Sequence, residues 1–147
     1  MRILIQAVST FFGVGYLPYV PGTWGSAVAV VLAWYLPSGL EYWTVGLTAA
    51  GLWACAPARI VLGSEDPKPF VMDEVCGMAI SVLWLPKTLV VYTAAFFLFR
   101  ALDVWKPWLI GRIQNSKHPW SVMGDDLLAG VFVNGILQVA VRLFLKF

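Results

Sequence analysis

Hydrophobic and polar positions divide the chain into apolar segments with charges gathered at their ends. No charged residue occurs from Ile3 to Leu40. Residues 3–12 predict a short helix suited to lying at an interface. The stretch GVGYLPYVPGTWG at 13–25 is rich in Gly and Pro and predicts a loop. Residues 26–36 predict a first apolar helix, stopped by Pro37, Ser38 and Gly39. Residues 42–62 predict the next, with Pro57 as a kink and Arg59 near its end. After a polar loop from Gly63 to Pro69, residues 71–85 predict a third helix with Asp73 and Glu74 in its first turn. Pro86 and Lys87 mark a turn, and residues 88–104 predict a fourth helix closing on Arg100 and Asp103. An aromatic and basic connection fills 105–122, and residues 125–145 predict a last helix opened by Asp125 and Asp126. Several segments fall short of the ~20 residues that span a bilayer, so short, tilted or half-crossing helices are expected.

Joined as successive crossings, these segments put the loops at 13–25, 63–73 and 104–125 on one side. The turns at 37–41 and 86–87 fall on the other. Asp66, Asp73, Glu74, Asp103, Asp125 and Asp126 then lie at the first side, with Arg59, Lys68, Arg100, Lys106, Arg112 and Lys117. The opposite side keeps Lys87, Arg142 and Lys146. That bias makes the first side cytoplasmic.

Composition agrees with a bilayer setting. Of 147 residues, 60% are hydrophobic and 12% charged, against about 45–50% and about 25% in soluble domains. The expected fold is all-α: a single-domain (1–147), small polytopic membrane helix bundle with short or tilted transmembrane helices. A net charge of +2 with singly scattered bases excludes nucleic acid as a partner. Gly13-Val14-Gly15 and two prolines follow the first apolar stretch where a signal peptide would have a small-residue cleavage site. The N-terminus is therefore read as retained.

The paired acids carry the chemistry. A carboxylate at bilayer depth costs roughly 2.5–3.5 kcal/mol on insertion scales, and five converging on one end would repel each other. A divalent cation relieves both penalties. Oxygen ligands without His or Cys clusters point to Mg2+ or Mn2+. Helix capping is the plainer explanation, since acids at helix N-termini gain about 0.3–1 kcal/mol. It does not account for two doublets, nor for Asp103 at a C-terminal end. Neighbouring helical residues point ~100° apart, so the two members of a doublet need not hold the same ion.

Other features bear on the same chemistry. In Pro21-Gly22-Thr23-Trp24-Gly25-Ser26, Thr23 or Ser26 can cap the following helix, and free N–H groups there suit an anion. The plainer reading is a capped loop. In Arg100-x-x-Asp103-x-x-Lys106, Arg100 and Asp103 share a helix face, so Asp103 can pair with Arg100 or reach a metal. Lys106 suits a phosphate as a point charge. Trp105, Trp108 and Trp120 read as interfacial anchors. Cys55 and Cys76 are small apolar residues, and neither begins a C-x5-R loop, since Val61 and Val82 stand at the sixth position. His118 is the one histidine, so a phosphohistidine route needing a second is closed. No D-x-D pair supports an aspartyl-phosphate either, which leaves metal-activated water.

Three ordered blocks carry a resemblance: GVGYLPYVPGTWGS at 13–26, DPKPFVMDEVCGM at 66–78, and FRALDVWKPW at 99–108 followed by VMGDDLLAG at 122–130. Through them the chain resembles the phosphatidylglycerophosphatase A family of bacterial membrane enzymes. The resemblance implies Mg2+-dependent hydrolysis of phosphatidylglycerophosphate to phosphatidylglycerol and phosphate, at the cytoplasmic face of the bacterial inner membrane. The matching positions are Asp66, Asp73, Glu74, Arg100, Asp103, Lys106, Asp125 and Asp126, with Gly22, Thr23, Gly25 and Ser26. Two departures stand out. His118-Pro119-Trp120-Ser121 replaces a glycine-rich run, and Leu109 replaces a proline.

The expected site has Asp73, Glu74, Asp125 and Asp126 as ligands of one or two Mg2+, with Mn2+ as the alternative ion. Asp73, Glu74, Asp103 and Asp126 are the expected catalytic set, with Asp103 a further ligand or general base. Gly22, Thr23, Gly25, Ser26, Asp66, Arg100 and Lys106 form the substrate-binding set. The expected partners are a lipid substrate and the bilayer, with the oligomeric state left open. The rival reading is a divalent-cation carrier or channel, which Arg100, Lys106 and Lys68 oppose because they would repel the cation.

Overall fold

The computed structural model describes residues 1–36, 38–65, 67–105 and 118–144. Among these, every regular element is helical. The order is α1 (Arg2–Ser9), a 3-10 turn (Val14–Tyr16), α2 (Pro21–Tyr35), α3 (Leu40–Leu62), α4 (Met72–Ser81), α5 (Leu89–Trp105) and α6 (Ser121–Phe144).

Helix α4 is the hub. Eight of its ten residues are buried, and α2, α3, α5 and α6 all pack around it. Its partnership with α6 follows one parallel stripe. Asp73 meets Asp126 at one end. Gly77 meets Gly130 one turn on, and Ser81 meets Asn134 another turn on. The step of four on both helices keeps the contacting residues on one face of each. At the middle step the backbones touch. A Cβ on Gly130 would stand 2.4 Å from the Gly77 carbonyl oxygen, and one on Gly77 would stand 2.5 Å from that of Asp126.

Ten residues make α4 about 15 Å long, half the ~30 Å of a bilayer core. Beyond it the chain leaves the helix, with Trp84 at a φ of 56°. Carbonyls freed there have no water to turn to in an apolar setting. Two amides of α6 satisfy them. Asn134 donates to the carbonyls of Leu83 (2.8 Å) and Ser81 (3.3 Å). Gln138 donates to those of Leu83 (3.2 Å) and Trp84 (3.4 Å). The Lys87 ammonium then donates to the Leu36 and Trp34 carbonyls at the C-terminal end of α2.

The exterior is apolar. Ile60 and Val90 are 84% and 78% exposed, and α3 and α6 are long and apolar enough to cross a membrane. Only 22% and 28% of their most apolar stretches are buried inside the protein, which suits a membrane protein rather than the core of a soluble one.

Several predicted boundaries move. Residues 21–25 are helix, not loop, because Pro21 occupies the first helical position, where its fixed φ and missing N–H cost nothing. The third helix stops at Ser81 instead of running to 85. The last begins at Ser121, where Ser121 Oγ donates to the His118 carbonyl at 2.7 Å. Asp125 and Asp126 therefore lie inside α6 rather than opening it.

Candidate active site

Four helix ends meet at one end of the bundle: the starts of α2, α4 and α6 and the last turn of α5. Asp73 and Glu74 sit in the first turn of α4, where the helix dipole favours negative charge. Asp73 Oδ1 accepts the Glu74 backbone N–H at 3.0 Å, which orients that carboxylate. Asp126 comes from the second turn of α6 and gains nothing from capping. Carboxylate oxygens of Asp73, Glu74 and Asp126 all lie within 4.8 Å of one another.

Such crowding is costly without a counter-charge. Burial pushes the Asp73 carboxyl well above the usual carboxylate range, and the neighbouring Glu74 and Asp126 charges add to the shift. Burial also raises Glu74, and Asp103 adds to that, while hydrogen bonding from Asp73 and the charge of Arg100 oppose it. Glu74 Oε2 is buried with no hydrogen-bond partner. With an orphaned oxygen beside two more carboxylates, the trio is a group that could hold a metal ion.

The cationic wall comes from α5. Arg100 Nη1 and Asp103 Oδ2 form an ion pair at 2.6 Å, both side chains about 15% exposed (15% and 14%). Arg100 offsets the unfavourable placement of Asp103 at a helix C-terminal end. Asp103 is also near enough to Asp126 for a shared hydrogen bond. On the other side stands Gly22. A Cβ there would fall 2.1 Å from Glu74 Oε1 and 3.4 Å from Arg100 Nη1. Only a residue without a side chain lets the Glu74 carboxylate lie against the start of α2.

The structure thus brings together Asp73, Glu74, Asp103, Asp126, Arg100 and Gly22. Asp125 is buried next to Asp126, and its Oδ1 accepts the Asp126 N–H at 3.1 Å. It stands outside the converging trio. Gly25 faces Val71, the residue before α4. Thr23 and Ser26 do not cap α2, whose N-cap is Val20. The amides of Thr23 and Trp24 donate to the Val20 carbonyl at 3.1 and 3.3 Å, and Ser26 Oγ donates to the Gly22 carbonyl at 3.0 Å. These groups bond within their own helix. Asp66 and Lys106, with Trp108, lie outside the described residues.

Sequence reasoning missed Gly77 and Gly130. The signal was present: Asp73-x-x-x-Gly77 and Asp126-x-x-x-Gly130 share one spacing, which places an acid and a glycine on one face of each helix. It missed Arg59 as a tether too, whose guanidinium donates to the His118 carbonyl at 3.4 Å and ties the approach to α6 to the end of α3.

Comparison with known proteins points to one family. The family model for phosphatidylglycerophosphatase A matches residues 7–141. A Bacteroides thetaiotaomicron protein, provisionally named phosphatidylinositol-3-phosphatase, is 37% identical, covering 90% of this chain and 91% of its own. The Escherichia coli phosphatidylglycerophosphatase A is 38% identical over 86% of this chain and 77% of its own. The Haemophilus influenzae phosphatidylglycerophosphatase A is 29% identical over 87% and 83%. No solved structure matches the chain.

Proposed function

The chain belongs to the phosphatidylglycerophosphatase A family, and from that premise we propose that it removes the terminal phosphate of phosphatidylglycerophosphate in a Mg2+-dependent reaction. The carrying observation is the buried trio Asp73, Glu74 and Asp126 beside the Arg100–Asp103 pair. The three carboxylates would hold Mg2+, or Mn2+ in its place, with Asp125 bracing Asp126 from behind. When bound, the ion supplies Lewis acidity to the phosphoryl group and the attacking water. Arg100 holds the phosphate beside Glu74, whose carboxylate rests against Gly22. Asp103 takes the proton of the water as its oxygen forms the new P–O bond. The bond to the glycerol oxygen breaks, and that oxygen takes up the proton. Lys106 and Asp66 complete the substrate-binding set in this proposal.

As proposed, the protein is a single multi-pass domain of the bacterial cytoplasmic membrane, its site facing the cytoplasm. Arg59, Lys68 and Arg100 at the site end, against Lys87 and Arg142 elsewhere, support that orientation. A second substrate follows from the provisional name of the Bacteroides relative: a phosphoinositide, which is again a phosphate monoester on a diacyl lipid.

The test is phosphate release by the detergent-purified protein from phosphatidylglycerophosphate and from phosphatidylinositol 3-phosphate, each with Mg2+ and with EDTA. EDTA-sensitive release from the first supports the proposal, and preferential release from the second transfers it to phosphoinositides. Glu74→Ala and Asp126→Ala should abolish turnover in a folded protein. Full activity in either removes the trio from the mechanism.

A further inference from the structure

The active site uses the first turn of α2 and the last turns of α5. Farther along, the same two helices part to form an apolar groove of about 440 Å3, within the ~300–1,000 Å3 usual for ligand sites. Ala27, Val31 and Trp34 line one wall, and Leu89, Thr93 and Phe96 the other. Phe96 stands one turn before Arg100, about 6 Å along the helix, and Ala27 stands about 7.5 Å beyond Gly22. The groove therefore begins where a lipid glycerol would lie if its phosphate met Arg100.

We propose that the α2–α5 groove is the acyl-chain subsite of the enzyme, holding one fatty chain of the lipid whose phosphate sits against Arg100. The inference rests on the lipid phosphatase reading and adds to it the place where the chain is gripped. Two observations favour this occupant. The lining is apolar apart from the Tyr35, Tyr92 and Thr93 hydroxyls and the Trp34 indole N–H, without a charged group to greet a polar ligand. Both walls of the groove also belong to the helices that carry Gly22 and Arg100, with Phe96 on the same face of α5 as Arg100 one turn away. A second apolar groove of about 330 Å3, walled by Phe11, Ala33, Trp43, Leu47 and Ala79, lies on the side of α2 toward α3. No residue of α5 contributes to it, so it lacks a wall in common with Arg100.

The role of the groove is fixed by two measurements on the full chain in detergent. The first is the ratio of kcat/KM for a long-chain phosphatidylglycerophosphate to that for its dihexanoyl analogue. Filling the groove with Thr93→Trp, or separately with Val31→Trp, should lower that ratio about tenfold, the effect of losing contact with two or so methylenes. An unchanged ratio in both folded variants overturns the inference. The second needs no turnover and no variant. A phosphatidylglycerophosphate carrying a diazirine in one acyl chain is photolysed on the wild-type protein. Labelling of α2 and α5 residues, suppressed by unlabelled substrate, supports the inference. Labelling that is confined to the other groove, or that unlabelled substrate fails to suppress, overturns it. Failure of wild-type protein to hydrolyse either chain length would instead count against the phosphatase reading, and the labelling pattern would still decide the groove.

Discussion

Gly77 and Gly130 touch backbone to backbone, with a Cβ on Gly130 placed 2.4 Å from the Gly77 carbonyl oxygen. This contact sets the distance between α4 and α6, and therefore the distance between Asp73 and Asp126 one turn away. Neither obstructing atom belongs to a flexible side-chain end, so an added methyl must separate the helices. Gly130→Ala should cost about 1–3 kcal/mol through overpacking and should weaken divalent-ion affinity as the acids splay. Gly135, on the same helix, meets nothing within 4 Å. Gly135→Ala should be neutral or stabilising by up to ~1 kcal/mol from helix propensity. Thermal unfolding in detergent of the two variants separates packing from propensity. Equal behaviour would show that the Gly77–Gly130 contact does not control the spacing.

Gly22 gives a different outcome. Its missing Cβ would meet the end of the Glu74 side chain, 2.1 Å from Oε1. That side chain can rotate, so Gly22→Ala should fold with little loss of stability. It should nevertheless displace Glu74 from the trio and crowd Arg100. We expect at least a hundredfold loss in kcat/KM, about 2.7 kcal/mol of transition-state stabilisation, with an unchanged thermal midpoint in EDTA. Near wild-type turnover would place Glu74 outside the reacting centre.

Proton linkage gives a third expectation. Asp73 and Glu74 have folded-state carboxyls raised above their unfolded values, first by burial and then by neighbouring acids. Their protonated forms favour the folded state. That contribution is complete below the ordinary carboxylate pKa of about 4 and is lost as pH rises through the raised folded values. In EDTA the thermal midpoint should therefore fall as pH rises from about 4 toward neutrality. Saturating Mg2+ should abolish the fall, because a bound cation favours the ionised carboxylates. A midpoint in EDTA that rises across this range would contradict the assigned burial of the pair.

Asn134 offers a test at the opposite end of α4. It donates to the Ser81 and Leu83 carbonyls, at and just beyond the end of the helix in an apolar setting. Asn134→Leu keeps the volume and removes the donor. The loss should be about 1–3 kcal/mol, the penalty for taking the side-chain donor from the Ser81 carbonyl while Gln138 still serves Leu83. Activity of the variant at low temperature should remain measurable, since Asn134 stands two turns from Asp126. A stability equal to wild type would mean that water or lipid headgroups reach the 81–84 segment.

Much of the site was legible before the fold. Asp73, Glu74, Asp103 and Asp126 stand out as charges at the ends of apolar segments, and Arg100 as the base one turn from Asp103. Helix limits were less legible where two signals competed. Pro21 and Gly22 read as loop residues by composition, yet proline is also the residue of choice at a first helical position. Residues 82–85 read as a continuation of an apolar helix, yet the chain unwinds because Asn134 and Gln138 supply the lost hydrogen bonds from α6. Nothing local to residues 82–85 encodes that help.

The amino-acid sequence by itself determined the apolar helical class, the acids that must be neutralised and the base that faces them. Those follow from the cost of charge in an apolar segment, which is a property of each segment alone. The tertiary structure decided which acids converge: carboxylate oxygens of Asp126, rather than of its neighbour Asp125, lie within 4.8 Å of those of Asp73 and Glu74. It decided too that Gly22 lies at the start of a helix, with the Glu74 carboxylate where its side chain would be. The second depends on how α2 and α5 pack against the start of α4, the first on which face of α6 meets α4 and how closely. That face and that distance are set by contact between backbones more than fifty residues apart, where Gly77 and Gly130 carry no side chain to hold them off.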